Sequence, residues 1–110
     1  MPIECNETHR AAVGETVPVT VALDRRAEET LTNPTAVEVT TSDLTISNVA
    51  INTAAVTVYE DGRQREVAIG YAVQFDVDCA AAVARTTYLI DVTAEQSTRP
   101  LPRRIRLKVF

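Results

Sequence analysis

The sequence has little of the chemistry from which most active sites are built. Its 110 residues include no tryptophan, a single histidine, His9, and two cysteines, Cys5 and Cys79. A catalytic triad would have to use His9 from the N-terminal segment, and a zinc site at Cys5 and His9 would need further ligands that no second cluster supplies. A domain of this size also leaves little volume for a deep cavity. The sequence therefore predicts a non-enzymatic protein with no catalytic residue, no cofactor and no metal site.

Long apolar runs and targeting signals are missing as well. No stretch approaches the ~18 apolar residues of a membrane-spanning helix, and residues 1–16 contain no basic segment followed by an apolar run. The net charge of −4 and the sequence pI of about 4.9 give no overall attraction to nucleic acid or to an anionic membrane. We therefore expect a chain that is made and kept in a cytoplasm and whose partner is protein.

The two cysteines are too few for a disulfide framework, and two interpretations of them remain open. They are either two reduced thiols, or they form one bridge that ties the N-terminal segment to the domain or links neighbouring subunits. Cys79 shares the parity of the apolar residues in the stretch YAVQFDV before it, so it is expected to point into the core. Cys5 lies in a segment without a strand pattern, which is typical of a reaching arm.

The clearest strand signal is TTYLIDVTAE, from Thr86 to Glu95. Its apolar face consists of Tyr88, Ile90, Val92 and Ala94, and the residues of opposite parity are Thr87, Leu89, Asp91, Thr93 and Glu95. Because side chains alternate across a strand, this pattern predicts a central strand with one face in the core.

Other stretches alternate in the same way. They are residues 17–23, 36–40, 44–51, 54–59, 65–69, 71–77 and 103–110. Pro18 restricts its strand to a sheet edge or a strand start, and a change of parity near Asn48 predicts a β-bulge. Asp61-Gly62 predicts a hairpin turn, and Asn33-Pro34 a turn in a surface connection. We expect strand 71–77 to pair with the central strand, and the run CAAAVAR after it to be a loop.

Seven or eight short strands without a convincing helix predict an all-β protein. The expected architecture is an immunoglobulin-like antiparallel β-sandwich at residues 17–110, preceded by an extended N-terminal arm at residues 1–16; a small barrel is the alternative. Tyr88 lies where a tyrosine corner is expected. The lack of a Cys…Trp…Cys spacing excludes a true antibody-type domain.

Positive charge is concentrated near the C-terminus, where five of the eleven lysines and arginines lie between Arg99 and Lys108. Arg104, Arg106 and Lys108 follow a period of two and should share one strand face. This face is either the outward side of an edge strand, where charge discourages edge-to-edge aggregation, or a surface that docks on an acidic subunit.

The second half of the chain resembles the small β-sandwich virion proteins of tailed bacteriophages, in particular fibre-tail adaptor proteins. The similarity lies in LTISNVAINTAAVTV, EVAIGYAVQFDV and TTYLIDVTAEQSTRPLPRRIRLKVF, and it covers roughly residues 20–110. The family often has a tryptophan near residues 36–39 and a Gly-Gly turn before the Thr-Tyr strand, where this chain has VEV and AAAVAR.

The resemblance implies a structural part of a virion, assembled in the host cytoplasm, as an adaptor, a tail or neck attachment protein or a capsid decoration protein. The implied partners are other virion proteins and copies of this chain in a symmetric oligomer. A bridge through Cys5 or Cys79 would lock such an assembly, and Arg104, Arg106 and Lys108 would line an interface. The alternative is a free bacterial immunoglobulin-like module that binds its ligand with loops, and this predicts exposed aromatic residues at one end of the domain.

Overall fold

The computed structural model of the chain describes residues 7–23, 30–41, 43–60 and 63–110. These residues form nine strands and no helix, which confirms the all-β prediction and adds to the expected count of seven or eight. The strands are β1 (Glu7–Ala11), β2 (Thr16–Ala22), β3 (Thr32–Glu38), β4 (Thr45–Ile51), β5 (Val56–Glu60), β6 (Arg63–Val67), β7 (Ala72–Asp78), β8 (Thr86–Gln96) and β9 (Arg99–Val109).

The strands form a four-stranded sheet, a three-stranded sheet and a hairpin. The four-stranded sheet has the order β1-β9-β8-β3, the three-stranded sheet has the order β2-β7-β4, and β5 pairs with β6. All pairs are antiparallel except β1 with β9, which is parallel. One buried cluster draws side chains from both larger sheets, so their inner faces pack on each other. The immunoglobulin-like topology stays a prediction.

The core is built from the alternating faces that the sequence indicates. The inward residues of β8, from Tyr88 to Ala94, are each 0% exposed. They meet further buried side chains of the neighbouring strands, namely Val73, Phe75 and Val77 of β7 and Ile105, Leu107 and Val109 of β9. Burying an aliphatic or aromatic side chain of this size contributes about 1.5–3 kcal/mol, so this cluster is the main source of stability.

Strand neighbours differ from the sequence prediction in two places. β8 is central, as predicted, but its partners are β9 and β3, and β7 lies in the other sheet between β2 and β4. β9 is not an edge strand either, because β1 pairs with residues 105–109 along its other side. Alternation shows which way a side chain points, but it carries no information about which strand lies alongside.

Part of the predicted N-terminal arm belongs to a sheet. Residues 7–11 form β1 and extend the four-stranded sheet, so the segment 1–16 is not an arm over its whole length. The sequence pattern is weak here because β1 is only five residues long, which leaves few positions for alternation to show. Residues 1–6, with Cys5, lie outside the described residues.

Prolines and bulges fall mainly at sheet edges. Pro18 lies in β2, an edge strand, as predicted. The predicted bulge is present: the register of β4 against β7 shifts between Ser47 and Ala50, and Asn48 has a φ of 56°. The prediction of a turn at Asn33-Pro34 is wrong. β3 begins at Thr32, and the dipeptide lies within this edge strand at a register shift.

A buried asparagine holds the hairpin against the three-stranded sheet. Asn52 is 2% exposed. Its Nδ2 donates to the carbonyl oxygens of Ala54 and Ala68, at 2.9 and 3.0 Å, and its Oδ1 accepts the backbone N–H of Gly70 and of Ala72, at 3.0 and 2.9 Å. These four bonds use the two donors and two acceptor sites of the amide. Asn52 therefore provides hydrogen-bond partners for four backbone groups near the end of β4.

Glycine is required at position 70, beside this asparagine. Gly70 has a φ of +91°, and a Cβ placed there would lie 2.7 Å from Cγ2 of Thr30. The Gly70 carbonyl also accepts the N–H of Leu31 at 2.8 Å. The turn before β7 therefore needs both the backbone freedom and the small volume of glycine.

Replacing Asn52 with alanine is expected to destabilise the protein by about 2–5 kcal/mol, because four side-chain hydrogen bonds to the backbone are lost, two of them to the buried N–H groups of Gly70 and Ala72. Urea unfolding followed by circular dichroism measures the change. The matched control is Thr53→Ala, which alters the exposed neighbouring residue and should cost less than about 0.5 kcal/mol. An N52A midpoint equal to that of T53A would contradict the assigned role.

Candidate functional site

The outer side of the four-stranded sheet carries a row of positive charge. It consists of Arg104, Arg106 and Lys108 on β9, with Arg10 on β1, and we call it the cationic face. The register places Arg10 beside Lys108, and on the other side of β9 it sets Arg106 against Leu89. Arg10, Arg106 and Lys108 are exposed. The predicted outward orientation of the three β9 residues is confirmed, and the sheet adds Arg10 to them.

Arg104 forms an ion pair within the sheet. Its Nε lies 2.6 Å from Oδ1 of Asp91 and its Nη2 lies 3.0 Å from Oδ2, a two-point contact between register partners on β9 and β8. The side chains are 33% and 22% exposed, so solvent screens the pair and its net contribution to stability is small. Its effect is to hold one end of the cationic face in a defined geometry.

Two other members of the cationic face, Arg10 and Lys108, lie side by side on neighbouring strands. Arg10 and Lys108 are register partners of the same sign, which is unfavourable on a sheet face. The Arg10 guanidinium also lies over the ring of Phe110, with Cζ 5.8 Å from the ring centroid. This cation–π contact fixes the position of the arginine without reducing its charge.

The outer side of the three-stranded sheet has the opposite character. The outward residues of its central strand β7 include Asp76 and Asp78, and we call this side the acidic face. Its other outward residues are Gln74 on β7, Thr16, Pro18 and Thr20 on β2, and Thr45, Ser47 and Ala50 on β4. None of these described side chains is positively charged.

Each aspartate of the acidic face is anchored at one oxygen. Oδ2 of Asp76 accepts a hydrogen bond from Nδ2 of Asn48 at 2.8 Å, and Oδ1 of Asp78 accepts the Ala80 N–H at 2.9 Å. Both donors are neutral, so neither hydrogen bond pairs a carboxylate with a positive charge. The sequence pattern in YAVQFDVD could have identified this face, since Asp76 and Asp78 have the outward parity.

One end of the molecule exposes apolar side chains. Val13, Val83 and Phe110 are 45%, 58% and 60% exposed. Backbone hydrogen bonds bring their segments to the same end: Gly14 N–H donates to Cys79 O at 2.9 Å, and Phe110 N–H donates to Ala11 O at 3.0 Å. Sequence reasoning missed this cluster because its three members come from different segments.

Tyr88 connects two loops at this end of the core. Its hydroxyl donates to Oδ2 of Asp43 at 2.9 Å and accepts the N–H of Val83 at 2.8 Å. Burial raises the pKa of the Tyr88 hydroxyl, and the Asp43 carboxylate raises it further. The bond to a backbone group five residues upstream resembles the contact of a tyrosine corner.

Cys79 is a fully buried free thiol among the described residues. Burial raises its pKa, and the carboxylates of Asp78 and Glu15 raise it further, so the neutral form is favoured. The choice between reduced thiols and a bridge to Cys5 stays open, because Cys5 lies outside the described residues. A bridge to another subunit would require the core around Cys79 to open.

Groups of side chains suited to metal binding are not found in the described part of the chain, where no three His, Cys, Asp or Glu residues come together. His9 is half-buried on β1, beside Leu107 of β9. The described ranges contain no helix that could span a membrane.

Comparison with known proteins adds no family. No family model matches the chain, and no curated protein matches it. Among solved structures, a family 123 glycoside hydrolase from Clostridium perfringens aligns with 96% of this chain at a TM-score of 0.47 and 5% sequence identity. The chain spans 23% of the length of that hydrolase. A likeness at this level supports no inference about activity.

The raised pKa of Cys79 predicts a loss of stability at alkaline pH. The unfolded chain releases the thiol proton near pH ~8.5, whereas the folded chain retains it to a higher pH. The contribution is therefore fully present below that value and is lost as the pH rises through the folded pKa, with a slope of up to about 1.4 kcal/mol per pH unit.

The measurement is urea unfolding between pH 7 and pH 10 for the wild type and for Cys79→Ala. We expect the wild-type free energy of unfolding to fall more steeply above pH ~8.5, because Cys5 and the tyrosines are common to both proteins and cancel. Parallel pH profiles would show that the buried thiol is not the source of the dependence.

Proposed function

We propose that this chain is a non-enzymatic structural component of a tailed-bacteriophage virion, acting as an adaptor, a tail or neck attachment protein or a capsid decoration protein. The observation that carries the proposal is the cationic face. Its four positive side chains share one sheet surface in a chain whose net charge is −4. Such a segregated charge favours docking on an acidic protein surface, because the charge of the whole chain opposes general binding to polyanions.

The assignment to a virion depends on the sequence resemblance. The resembling stretches LTISNVAI, YAVQFDV and TTYLIDVTAE correspond to β4, β7 and β8, which supply much of the core. The resembling tail RRIRLKVF lies mainly in β9, which carries three of the four residues of the cationic face. In a symmetric particle, repeated copies turn modest contacts into firm attachment, so a small sheet face with a few charges is sufficient for this role.

The architecture also favours a rigid connector. β8 and β9 pair along their whole eleven-residue lengths, and the cationic face lies on this pair. Side chains on long paired strands hold their spacing better than side chains on loops, so the face is already arranged for binding.

A second candidate is a free immunoglobulin-like module that binds a ligand with its loops. The exposed Phe110 with Val13 and Val83 favours this candidate, since it places an aromatic residue and two apolar ones at one end. In that case, Phe110→Ala would abolish ligand binding, and the chain would be absent from particles.

The test is the presence of the chain in tailed particles. Particles produced by cells that carry the gene are purified on a density gradient, and peptides of this chain are quantified by mass spectrometry against the major capsid protein. We expect a constant ratio between the two proteins across preparations. Absence of the chain from the particles would contradict the proposal.

Charge reversal tests whether the cationic face is the surface that attaches the chain to the particle. Arg106→Glu with Lys108→Glu is expected to reduce incorporation into particles by about tenfold or more, since two favourable contacts become repulsive. The matched control is Arg63→Glu with Arg99→Glu, which changes the net charge equally at exposed sites off the face. Equal incorporation of both double variants would show that the cationic face is not the attachment surface.

A further inference from the structure

We infer that the end of the molecule that carries Val13, Val83 and Phe110 is a dimer interface, on which the same end of a second copy of this chain docks across a two-fold axis. We call it the apolar end. The contact goes beyond the proposed function, because it joins two copies to each other, whereas the proposed function concerns how the chain attaches to a particle.

The apolar end gathers apolar side chains that water surrounds in the monomer. It holds three of the six large apolar side chains that are exposed in the described part of the chain, and Phe110 is the most exposed of them at 60%. A contiguous exposed apolar patch is typical of a protein contact, whereas single exposed apolar residues are not. The residues around the three side chains are small and exposed, namely Ala12, Gly14, Ala80, Ala81 and Ala84.

Hydrogen bonds hold the segments of this end side by side. The turn after β1 and the turn after β7 both cross it from one large sheet to the other. The Gly14 N–H donates to the Cys79 carbonyl oxygen at 2.9 Å and so joins the two turns. The Val83 N–H donates to the Tyr88 hydroxyl at 2.8 Å, and this hydroxyl donates to Asp43 at 2.9 Å. The apolar side chains are therefore in position before a partner arrives, which lowers the entropy cost of binding.

Charged side chains at this end are divided between the two sheets. Arg10, Arg85 and Lys108 are exposed, and they lie in or next to β1, β8 and β9 of the four-stranded sheet. Glu15 immediately precedes β2, and Asp78 is the last residue of β7, so both belong to the side of the three-stranded sheet. The apolar end therefore has a cationic side and an acidic side, with the crossing turns between them.

The two carboxylates of the acidic side are held close together. Oε1 of Glu15 accepts the Ala12 N–H at 3.1 Å, and Oδ1 of Asp78 accepts the Ala80 N–H at 2.9 Å. Burial raises the pKa of the Cys79 thiol, and the charges of both carboxylates raise it further, so both lie near this residue. Neither hydrogen bond pairs a carboxylate with a positive charge.

A two-fold axis parallel to the sheets makes this end complementary to itself. Rotation by 180° about such an axis places the cationic side of each copy opposite the acidic side of the other, and it brings the apolar turns together in the centre. An apolar centre with a charged rim is the usual anatomy of a protein interface. The contact is isologous, so association ends at a dimer.

The dimensions of the molecule allow a contact of sufficient area. The Cα positions span 41 × 26 × 24 Å. β8 and β9 are eleven residues long and extend about 36 Å, so they run along the longest dimension. The end presents roughly 600 Å² on each copy, and the total of about 1,200 Å² lies at the lower limit of standard-size interfaces. We therefore expect an affinity in the micromolar range.

The β5–β6 hairpin packs at the other end of the three-stranded sheet. Its apolar side chains cluster with Ala22 and Ala72. These two residues form the last register pair of β2 and β7, and Thr16 and Asp78 form the first pair, beside the apolar end. The two pairs are about 20 Å apart along the strands, so the hairpin packs at a distance from the acidic side.

Sedimentation velocity of the full chain over a micromolar concentration series tests the inference. The wild type should pass from monomer to dimer and form nothing larger. Phe110→Ala and Val83→Asp should each raise the dimer Kd about tenfold or more, because the first removes an aromatic anchor and the second buries a charge in the apolar centre. The matched control is Ile69→Asp, which introduces the same charge at a site that is also 58% exposed but precedes β7, and it should dimerise like the wild type.

A charge swap tests the orientation of the two copies. Arg85→Glu and Glu15→Arg should each weaken the dimer about tenfold, and an equimolar mixture should recover the wild-type affinity, because each variant supplies the charge that the other lacks. Glu15→Gln keeps the acceptor for the Ala12 N–H while it removes the charge. It should therefore retain the wild-type thermal midpoint and still dimerise more weakly.

Three results would overturn the inference. They are a wild type that stays monomeric up to ~1 mM, equal dimerisation of F110A, V83D and I69D, and a charge-swap mixture no tighter than the single variants. A monomeric wild type that binds lipid vesicles or another virion protein, and loses this binding in F110A, would assign the apolar end to that partner instead. A dimer that is absent from particles would leave the interface standing and contradict only the virion role.

Discussion

The eleven-residue antiparallel pairing of β8 and β9 is the constraint on which most of the structure depends. Its inner side presents Tyr88, Ile90 and Leu107 to the core, and its outer side presents Arg104, Arg106 and Lys108 to solvent. Because side chains alternate strictly, a slip of one residue between the strands would expose the apolar set and bury the charges. Core packing therefore fixes the register, and the register fixes the spacing of the cationic face.

Two buried polar side chains hold the loops and the hairpin in place by hydrogen bonds. The Tyr88 hydroxyl bonds to Asp43 and Val83, and Asn52 connects the end of β4 with Ala54 before the hairpin and Ala68 after it. Each is buried, and each is hydrogen-bonded on both donor and acceptor sides. A buried polar group with a full set of partners specifies one arrangement, because any other arrangement leaves it unsatisfied.

The two outer sides of this β-protein differ in charge. A net charge of −4 conceals one cationic face and one acidic face on opposite sides of the molecule. On both faces the charged side chains follow the two-residue period of a strand, which gives them a regular spacing. The proposed role as an assembled structural component depends on this arrangement.

Local sequence by itself determined most of the strands, their inward faces, the bulge at Asn48 and the outward row on β9, because alternation, proline and turn residues act over a few positions. It missed β1 and the start of β3. Only the tertiary structure decided that β7 lies in the other sheet, that β1 covers the edge of β9 and that Arg10 joins the cationic face. It alone brought Asn52 to Ala72, and Phe110 to the end of the molecule that carries Val83. Such contacts depend on which distant segments bury their apolar faces together, and no short window of the sequence contains that choice.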